Sequence, residues 1–400
     1  MKKTVQTEIR SIGIVCEVNP LHEGHRYLLS SARKRVGEEG FVVTVMSGNT
    51  VQRGELAVIE KYCRAEMLIA CGADLVVELP APFCCSSAED FSRGAIAVLR
   101  HFCDGLIFGS ECGDLDILNR AAEIASGDDF RSRYRELLTA GMPAAAAYYG
   151  MLKDAGVGTL SSNDLLGVEY LRAIKTLGAS MNAQTVKRQG SGYADTEITE
   201  GICPSAMAIR RQWETDFESG LSLIAEDARE ICLRAKTEGF FLDKNRADAA
   251  VIGALRLIDA ARIDGLEETV GDRSGVIRRL IREAEQATDM KGLIDRCATK
   301  RYTDAHLRRL VLACLFGMDR RDRADLPSYT NLLGVSAHGR ALLSEHRKND
   351  DFTVVTKAAD APADRRQTVL ERRIDGFYYG LLERPRGLSN ALARRPYVEQ

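Results

Sequence analysis

One stretch constrains the fold of this chain more than any other: residues 12–28, Ile-Gly-Ile-Val-Cys-Glu-Val-Asn-Pro-Leu-His-Glu-Gly-His-Arg-Tyr-Leu. The apolar run Ile12 to Val15 reads as a buried parallel strand. Asn19-Pro20 ends it, because the residue before a proline is pushed out of helical geometry. Tyr27, Leu28, Ala32 and Val36 then recur at helical spacing. His22-Glu23-Gly24-His25 therefore falls where a strand's carboxyl end meets a helix's amino end. Such a tip carries free backbone N–H groups and about half a positive charge, which suits phosphate. Gly24 lets a ligand approach the backbone closely. Two imidazoles beside it can donate hydrogen bonds to phosphoryl oxygens. On its own the tetrapeptide is equally compatible with a surface turn. A zinc site of the helical type needs a different histidine spacing and a third ligand that is not evident, so no metal ligands are assigned.

The pattern continues as strand and helix in alternation. Strands are expected at Phe41–Met46, Asp74–Leu79 and Gly105–Gly109, with helices at about 61–71 and 88–102 between them. Four apolar strands joined by helices imply right-handed crossovers and a doubly wound, Rossmann-like parallel sheet of the α/β class. In such sheets ligands sit beyond the carboxyl ends of the strands. Residues 115–180 read as helical, Asn182–Lys187 as a further strand, and Ser205 as the N-cap of another helix. Beyond about residue 217 no strand alternation is expected until 352–356, and helices are expected at 221–236, 248–263, 275–287 and 303–317. The domain boundary is placed at 215: 1–215 an α/β domain with a ligand-binding sheet edge, 216–400 a mainly α-helical domain.

The polar segments after the strands carry the remaining chemistry. In Ser47–Glu55, Arg53 can hold a carboxylate or a phosphate, while Asn49 and Gln52 can orient a polar substrate. Asn163 opens a helix and can face a purine edge, although capping alone would explain its cluster. Arg188 follows a strand, and Ser205 with Arg210 marks a second helix amino terminus. Each is weak alone; their common placement at one sheet edge is the stronger signal.

Charge bears on the partner. Residues 1–216 hold 23 basic and 28 acidic groups, whereas 217–400 hold 32 and 29. The later excess is largely paired arginine: Arg308-Arg309, Arg320-Arg321, Arg365-Arg366, Arg372-Arg373 and Arg394-Arg395. The guanidinium fork suits phosphate, though a solvated helix surface also accounts for such pairs. With 45% hydrophobic residues and no apolar run of about 18, no membrane span is expected. The first residues lack the apolar core of a signal peptide. The 11 cysteines contain no Cys-x-x-Cys and fall mostly in apolar patterns, so a cytoplasmic setting is expected.

His22-Glu-Gly-His25 resembles the His-x-Gly-His signature of the nucleotidyltransferases. Glu17–His25, Met46–Glu55, Gly72–Pro80, Phe108–Glu111, Ser162–Gly167, Val186–Arg188 with Gly192-Tyr193, and Tyr329–Leu343 narrow the resemblance to the bacterial tRNA(Met) cytidine acetate ligase family, over about residues 12–357. The resemblance implies that ATP and acetate form acetyl-adenylate, and that the acetyl group passes to N4 of the wobble cytidine, position 34, of elongator tRNA(Met). By position it implies ATP contacts at Val15, Cys16, Glu17, Val18, Asn19, Pro20, Leu21, His22, Glu23, Gly24, His25, Arg26, Tyr27 and Leu28, and at Gly109, Asn163 and Arg188. His22 and His25 would hold α- and β-phosphate oxygens; Arg188 and Arg210, with Ser205, would hold the departing pyrophosphate. Mg2+ is compatible with a triphosphate substrate, but no carboxylate pair stands out to bind it. The carboxyl-terminal half would contact tRNA, with Tyr329, Tyr378 or Tyr379 as candidates for base stacking. The second superfamily motif, Ser-Ser/Ala-Thr-x-Ile-Arg, appears here as Ser205-Ala-Met-Ala-Ile-Arg210, so Met207 replaces a threonine. Two other readings are an adenylyltransferase for a small cofactor precursor and a non-catalytic, nucleotide-sensing RNA-binding protein. Oligomeric state is not legible.

Overall fold

The computed structural model describes residues 9–188, 204–272, 274–350 and 352–400, with the side chains of Ala260 and Asn349 left aside. Strands β1 (Ser11–Cys16), β2 (Phe41–Ser47), β5 (Leu75–Leu79), β6 (Gly105–Ser110) and β7 (Asn182–Lys187) lie parallel. The short strands β3 (Thr50–Val51) and β4 (Glu55–Leu56) form a separate antiparallel hairpin. Helices α1 (Glu23–Val36), α2 (Lys61–Ala70) and α3 (Ala88–Leu99) supply the first crossovers.

All seven residues of β2 are buried, because side chains alternate between two covered faces. Phe41, Val43 and Val45 enter a core with Ala95 and Leu99 of α3. Val42 and Met46 enter the opposite core with Leu29 and Ala32 of α1. The expected α/β, doubly wound sheet is present. Strand order across its centre is β5-β2-β1-β6-β7, so the order reverses between β1 and β6, the place where ligands bind in such sheets.

The sheet, however, does not stop at residue 215. Residues Tyr329–Val335 form β8, fully buried and antiparallel to β5; β9 (Thr353–Val355) and β10 (Tyr397–Val398) pair with β8, giving eight strands. The expectation of no strand between 217 and 352 is corrected. A strand covered on both faces shows no alternation, and here polar residues sit inside it. The Thr330 hydroxyl donates to the Glu78 carbonyl at 2.7 Å, and Asn331 Nδ2 to the Glu78 carboxylate at 2.9 Å. A distinct helical core lies further along, drawn from residues 251–314. The helix expected over 248–263 is two, Lys244–Arg256 and Ala260–Val270, because Asp259 caps a new helix through the Arg262 N–H.

The three candidate stacking tyrosines are core residues. Tyr329, Tyr378 and Tyr379 are 0–1% exposed, their hydroxyls bonded to Glu371, the Ala57 carbonyl and Glu60. The arginine pairs are also partly engaged by other groups of the chain, Arg321 at the surface. Arg308 pairs with Glu55, Arg321 with Asp319, Arg366 with Asp322 and Arg394 with Glu60. Arg373 donates to the Phe316 carbonyl. Each of the five pairs thus has a member tied down.

A buried ionic cluster closes the carboxyl-terminal segment onto the sheet. Lys61 Nζ lies 2.9 Å from Glu78 and 2.8 Å from Asp375, all three side chains at most 8% exposed. Asn49 donates to Asp375 at 2.9 Å and accepts the Lys61 N–H at 3.1 Å. Asn49 is therefore a core residue rather than the substrate-orienting group expected from its loop. Lys61→Met leaves two buried carboxylates without a cation and should lower the unfolding free energy by about 3–5 kcal/mol. Urea denaturation measures this; a loss under about 1 kcal/mol would contradict it.

Candidate active site

His22 is the N-cap of α1. Its Nδ1 accepts the Gly24 N–H at 3.0 Å, while His25 Nδ1 accepts the His22 N–H at 3.3 Å. The two rings thereby cap the helix reciprocally and lie 4.1 Å apart, centroid to centroid, at 51°. This corrects one expectation: these N–H groups at the tip are taken by the imidazoles rather than open to a phosphate. A neutral ring that accepts at Nδ1 carries its proton at Nε2. Burial, the neighbouring His25 and the Arg188 charge push His22 well below the ordinary histidine range. Burial and Arg188 lower His25 to about 4. At neutral pH both rings are uncharged Nε2–H donors.

The cleft around them lies at the β1–β6 reversal. Val15, Cys16, Glu17, Val18, Asn19, His22, Gly24, His25, Tyr27 and Leu28 line it, with Gly109, Asn163, Arg188, Ser205, Met207 and Arg210. Four residues of the expected segment do not. Leu21 is fully buried in the core, and Pro20 is buried behind the turn. Glu23 and Arg26 face outward, paired at 2.7 Å one turn along the helix. Gly192 and Tyr193 lie outside the described residues. The Cys16 thiol is pushed up to about 12 by burial, so it is no nucleophile at neutral pH.

Each cationic or capping group is held from behind. Asn163 Nδ2 donates to Glu111 Oε1 at 2.5 Å, and Arg188 Nε stands 3.4 Å from the same oxygen. Glu111 ends the Phe108–Glu111 motif, and the sequence carries no residue-level signal of this task. Ser205 Oγ accepts the Ala208 N–H at 3.1 Å, as an N-cap. Arg210 donates to the Asn19 carbonyl at 2.6 Å and pairs with Glu55 at 3.1 Å. The β3–β4 hairpin contributes Gln52, Arg53 and Glu55 to the wall, and the Gln52 N–H bonds Glu17 at 2.5 Å. Ala88, Phe91, Phe108 and Tyr170 supply an apolar wall that nothing in the sequence separated from ordinary core. Among the described residues no group of three His, Cys, Asp or Glu side chains is placed to hold a metal, and no step below passes through one.

The family described as HIGH Nucleotidyl Transferase matches residues 9–389. A Syntrophotalea carbinolica protein named tRNA(Met) cytidine acetate ligase is 34% identical over 381 residues, 92% of this chain and 89% of that protein. A Caldanaerobacter subterraneus subsp. tengcongensis protein of the same name is 33% identical, covering 88% of this chain and 89% of its own. The chain belongs to the tRNA(Met) cytidine acetate ligase family of nucleotidyl transferases. The crystal structure of Thermotoga maritima TmcAL, free of ligand, superposes with a TM-score of 0.87 at 28% identity over 98% of this chain and 99% of that one. The same Thermotoga maritima protein bound to alpha-thio ATP gives 0.85 at 29% identity, with the same coverage. The family resemblance read from the motifs is thus shown across nearly the whole chain, and the ligase relatives carry it.

The neutral histidines have a measurable consequence. In the ligand-free protein the His25 ring should titrate near pH 4 by NMR; a midpoint between 6 and 7 would contradict the geometry. The unfolded chain protonates this ring near 6.5, so it binds more protons than the folded one in between. Stability should accordingly fall as pH drops from about 6.5 to about 4.

Proposed function

We propose that this protein joins acetate to ATP, forming acetyl-adenylate and pyrophosphate, and then passes the acetyl group to N4 of the wobble cytidine of elongator tRNA(Met). The observation carrying this reading is the pair of neutral Nε2–H donors at the α1 tip, flanked by Arg188 and Arg210. The full-length likeness to proteins named for this ligation supports the choice of substrates.

In the first step an acetate oxygen attacks the α-phosphorus, and the bond to the bridging oxygen of the leaving pyrophosphate breaks. His22 and His25 donate to α- and β-phosphate oxygens as charge spreads over them, and Arg188 and Arg210 take up charge on the leaving group. Neutral imidazoles offer oriented donors without competing for a proton at physiological pH. In the second step the cytidine amine attacks the acetyl carbonyl, AMP departs, and the amine proton is lost. No covalent bond to the protein forms, which suits a cleft whose cysteine stays a thiol. The tRNA is assigned to the later, arginine-rich part, where Arg320, Arg365 and Arg395 are exposed. No helix among the described residues is long and apolar enough to cross a membrane, and the proposed compartment is the cytoplasm, where tRNA is modified.

Labelled acetate tests the reading: ATP-dependent transfer to tRNA(Met) is expected, and its absence alongside acetate-independent pyrophosphate release would replace acetate with another acid. His22→Ala or His25→Ala should each reduce acetate-dependent ATP–pyrophosphate exchange by about a hundredfold or more, each removing a transition-state donor, with tRNA binding retained. Met207→Thr should raise that exchange by no more than about tenfold, since it restores one neutral hydrogen bond. A hundredfold gain would show the threonine to be central to catalysis.

A further inference from the structure

Glu55 sits between two arginines. Its Oε2 is 3.1 Å from Arg210 Nη2 and its Oε1 is 2.7 Å from Arg308 Nη1. All three side chains are about three-quarters buried, at 22–24% exposure. Arg210 and Glu55 line the cleft, whereas Arg308 does not. Arg308 belongs to the helix Asp304–Phe316, whose Leu307, Leu310 and Val311 pack into the separate helical core.

The contact between that helix and the hairpin is close and built from several parts. Arg309 Nη1 donates to the Gln52 carbonyl at 3.0 Å. Gly54 turns with φ +76°, and a Cβ there would stand 2.4 Å from the Arg309 backbone nitrogen. The hairpin tip therefore rests on the helix with no room for a side chain.

We propose that Arg308 is a positioning residue for the adenylation step: by neutralising Glu55 from the helical core, it leaves Arg210 with a net charge to offer the nucleotide's phosphates. This rests on the reading above that Arg210 faces those phosphates. Charge arithmetic supports it. Arg210 and Glu55 alone sum to zero, and a neutral ion pair attracts a polyanion weakly. Adding Arg308 restores one positive charge to the triad, in a partly buried setting where screening by water is reduced. The Asn19 carbonyl holds the other Arg210 nitrogen at 2.6 Å, so the guanidinium keeps its aim while its charge is set by the partner behind it. The helical core thereby sets how strongly the cleft holds ATP, through a residue that does not touch the nucleotide.

The test is binding of α,β-methylene ATP, followed by titration calorimetry, with folding checked by thermal melting. Arg308→Gln should weaken binding by roughly tenfold, the scale of one charge-assisted interaction, and Arg308→Lys should stay within about threefold of the parent. Glu55→Gln with Arg308→Gln should recover most of the loss, because Arg210 regains its charge when its carboxylate partner is gone. Glu55→Gln alone should bind no more weakly than the parent, and it keeps the idea testable if Arg308→Gln does not fold. Unchanged binding by Arg308→Gln, or a double variant no better than the single one, would overturn the proposal. So would weakened binding by Glu55→Gln. Arg210→Gln separates the two claims: if it binds like the parent, Arg210 does not face the phosphates and both fail. If it weakens binding while Arg308→Gln does not, only the relay fails. None of these readouts depends on acetate.

Discussion

Everything at the cleft depends on how the first helix begins. A helix amino terminus normally leaves backbone N–H groups for solvent or ligand. Here the caps are imidazoles, and capping through Nδ1 forces the proton to Nε2 on each ring. Protonated at Nδ1, neither ring could accept its backbone partner, so the cap and the neutral state support each other. Local structure and chemistry are thus one device: the bonds that start α1 also create two aimed, uncharged donors. The Arg188 charge nearby acts in the same direction, since a cationic imidazole beside it would be disfavoured.

That device is held in place by parts of the chain remote in sequence. The strand β1 that leads to the histidines is flanked by β2 and β6, while β2 pairs with β5 and β5 with β8 from the far end. Lys61, Glu78 and Asp375 connect α2, β5 and the helix Arg366–Gly380 in one buried cluster, which also takes up Asn49 from the base of the hairpin. The tip of the same hairpin meets the helical core through Arg308 and Arg309. Burying such charge costs much solvation and returns little net stability, but removing one partner is expensive. The cluster therefore acts as a lock between these segments, beside the Tyr378 and Tyr379 hydroxyls and Arg394, which reach the Ala57 carbonyl and Glu60.

Where the sequence could be read and where it could not follows from the same physics. The strand, the turn at Asn19-Pro20 and the helix that follows were legible because apolar periodicity and proline geometry are local. Asn163, Arg188, Ser205 and Arg210 were legible as a set because the segments beyond the strands of a doubly wound sheet share one edge, whereas Gly109 came only from the family resemblance. The strand Tyr329–Val335 was not, since Thr330 and Asn331 are satisfied by Glu78, some 250 positions away, and Asn331 also by Glu371, 40 positions on. Asn49 read as a loop polar group because its partner Asp375 is equally remote. The stacking tyrosines failed for a related reason: a tyrosine in a core with a distant acceptor looks the same in sequence as one facing a base. The apolar wall of Ala88, Phe91 and Tyr170 carries no local signal at all, because pocket and core draw on the same residue types.

The carboxylates around the cleft explain what the arginines alone do not. Arg53, Arg188 and Arg210 are set against Glu17, Glu55 and Glu111 in or beside it. An unopposed cluster of three cations would hold ATP and pyrophosphate tightly alike, and binding that is equal before and after the chemical step does not speed it. Glu111 beside Arg188 weakens that uniform attraction, while Glu55 and the Asn19 carbonyl fix the direction of the Arg210 guanidinium, whose charge Arg308 restores from behind. In the proposed reaction the two histidines contribute where charge is redistributed, as oriented dipoles needing no reorganisation. On the proposed reading, a cleft of modest net charge with aimed donors favours the adenylation transition state over both of its neighbours.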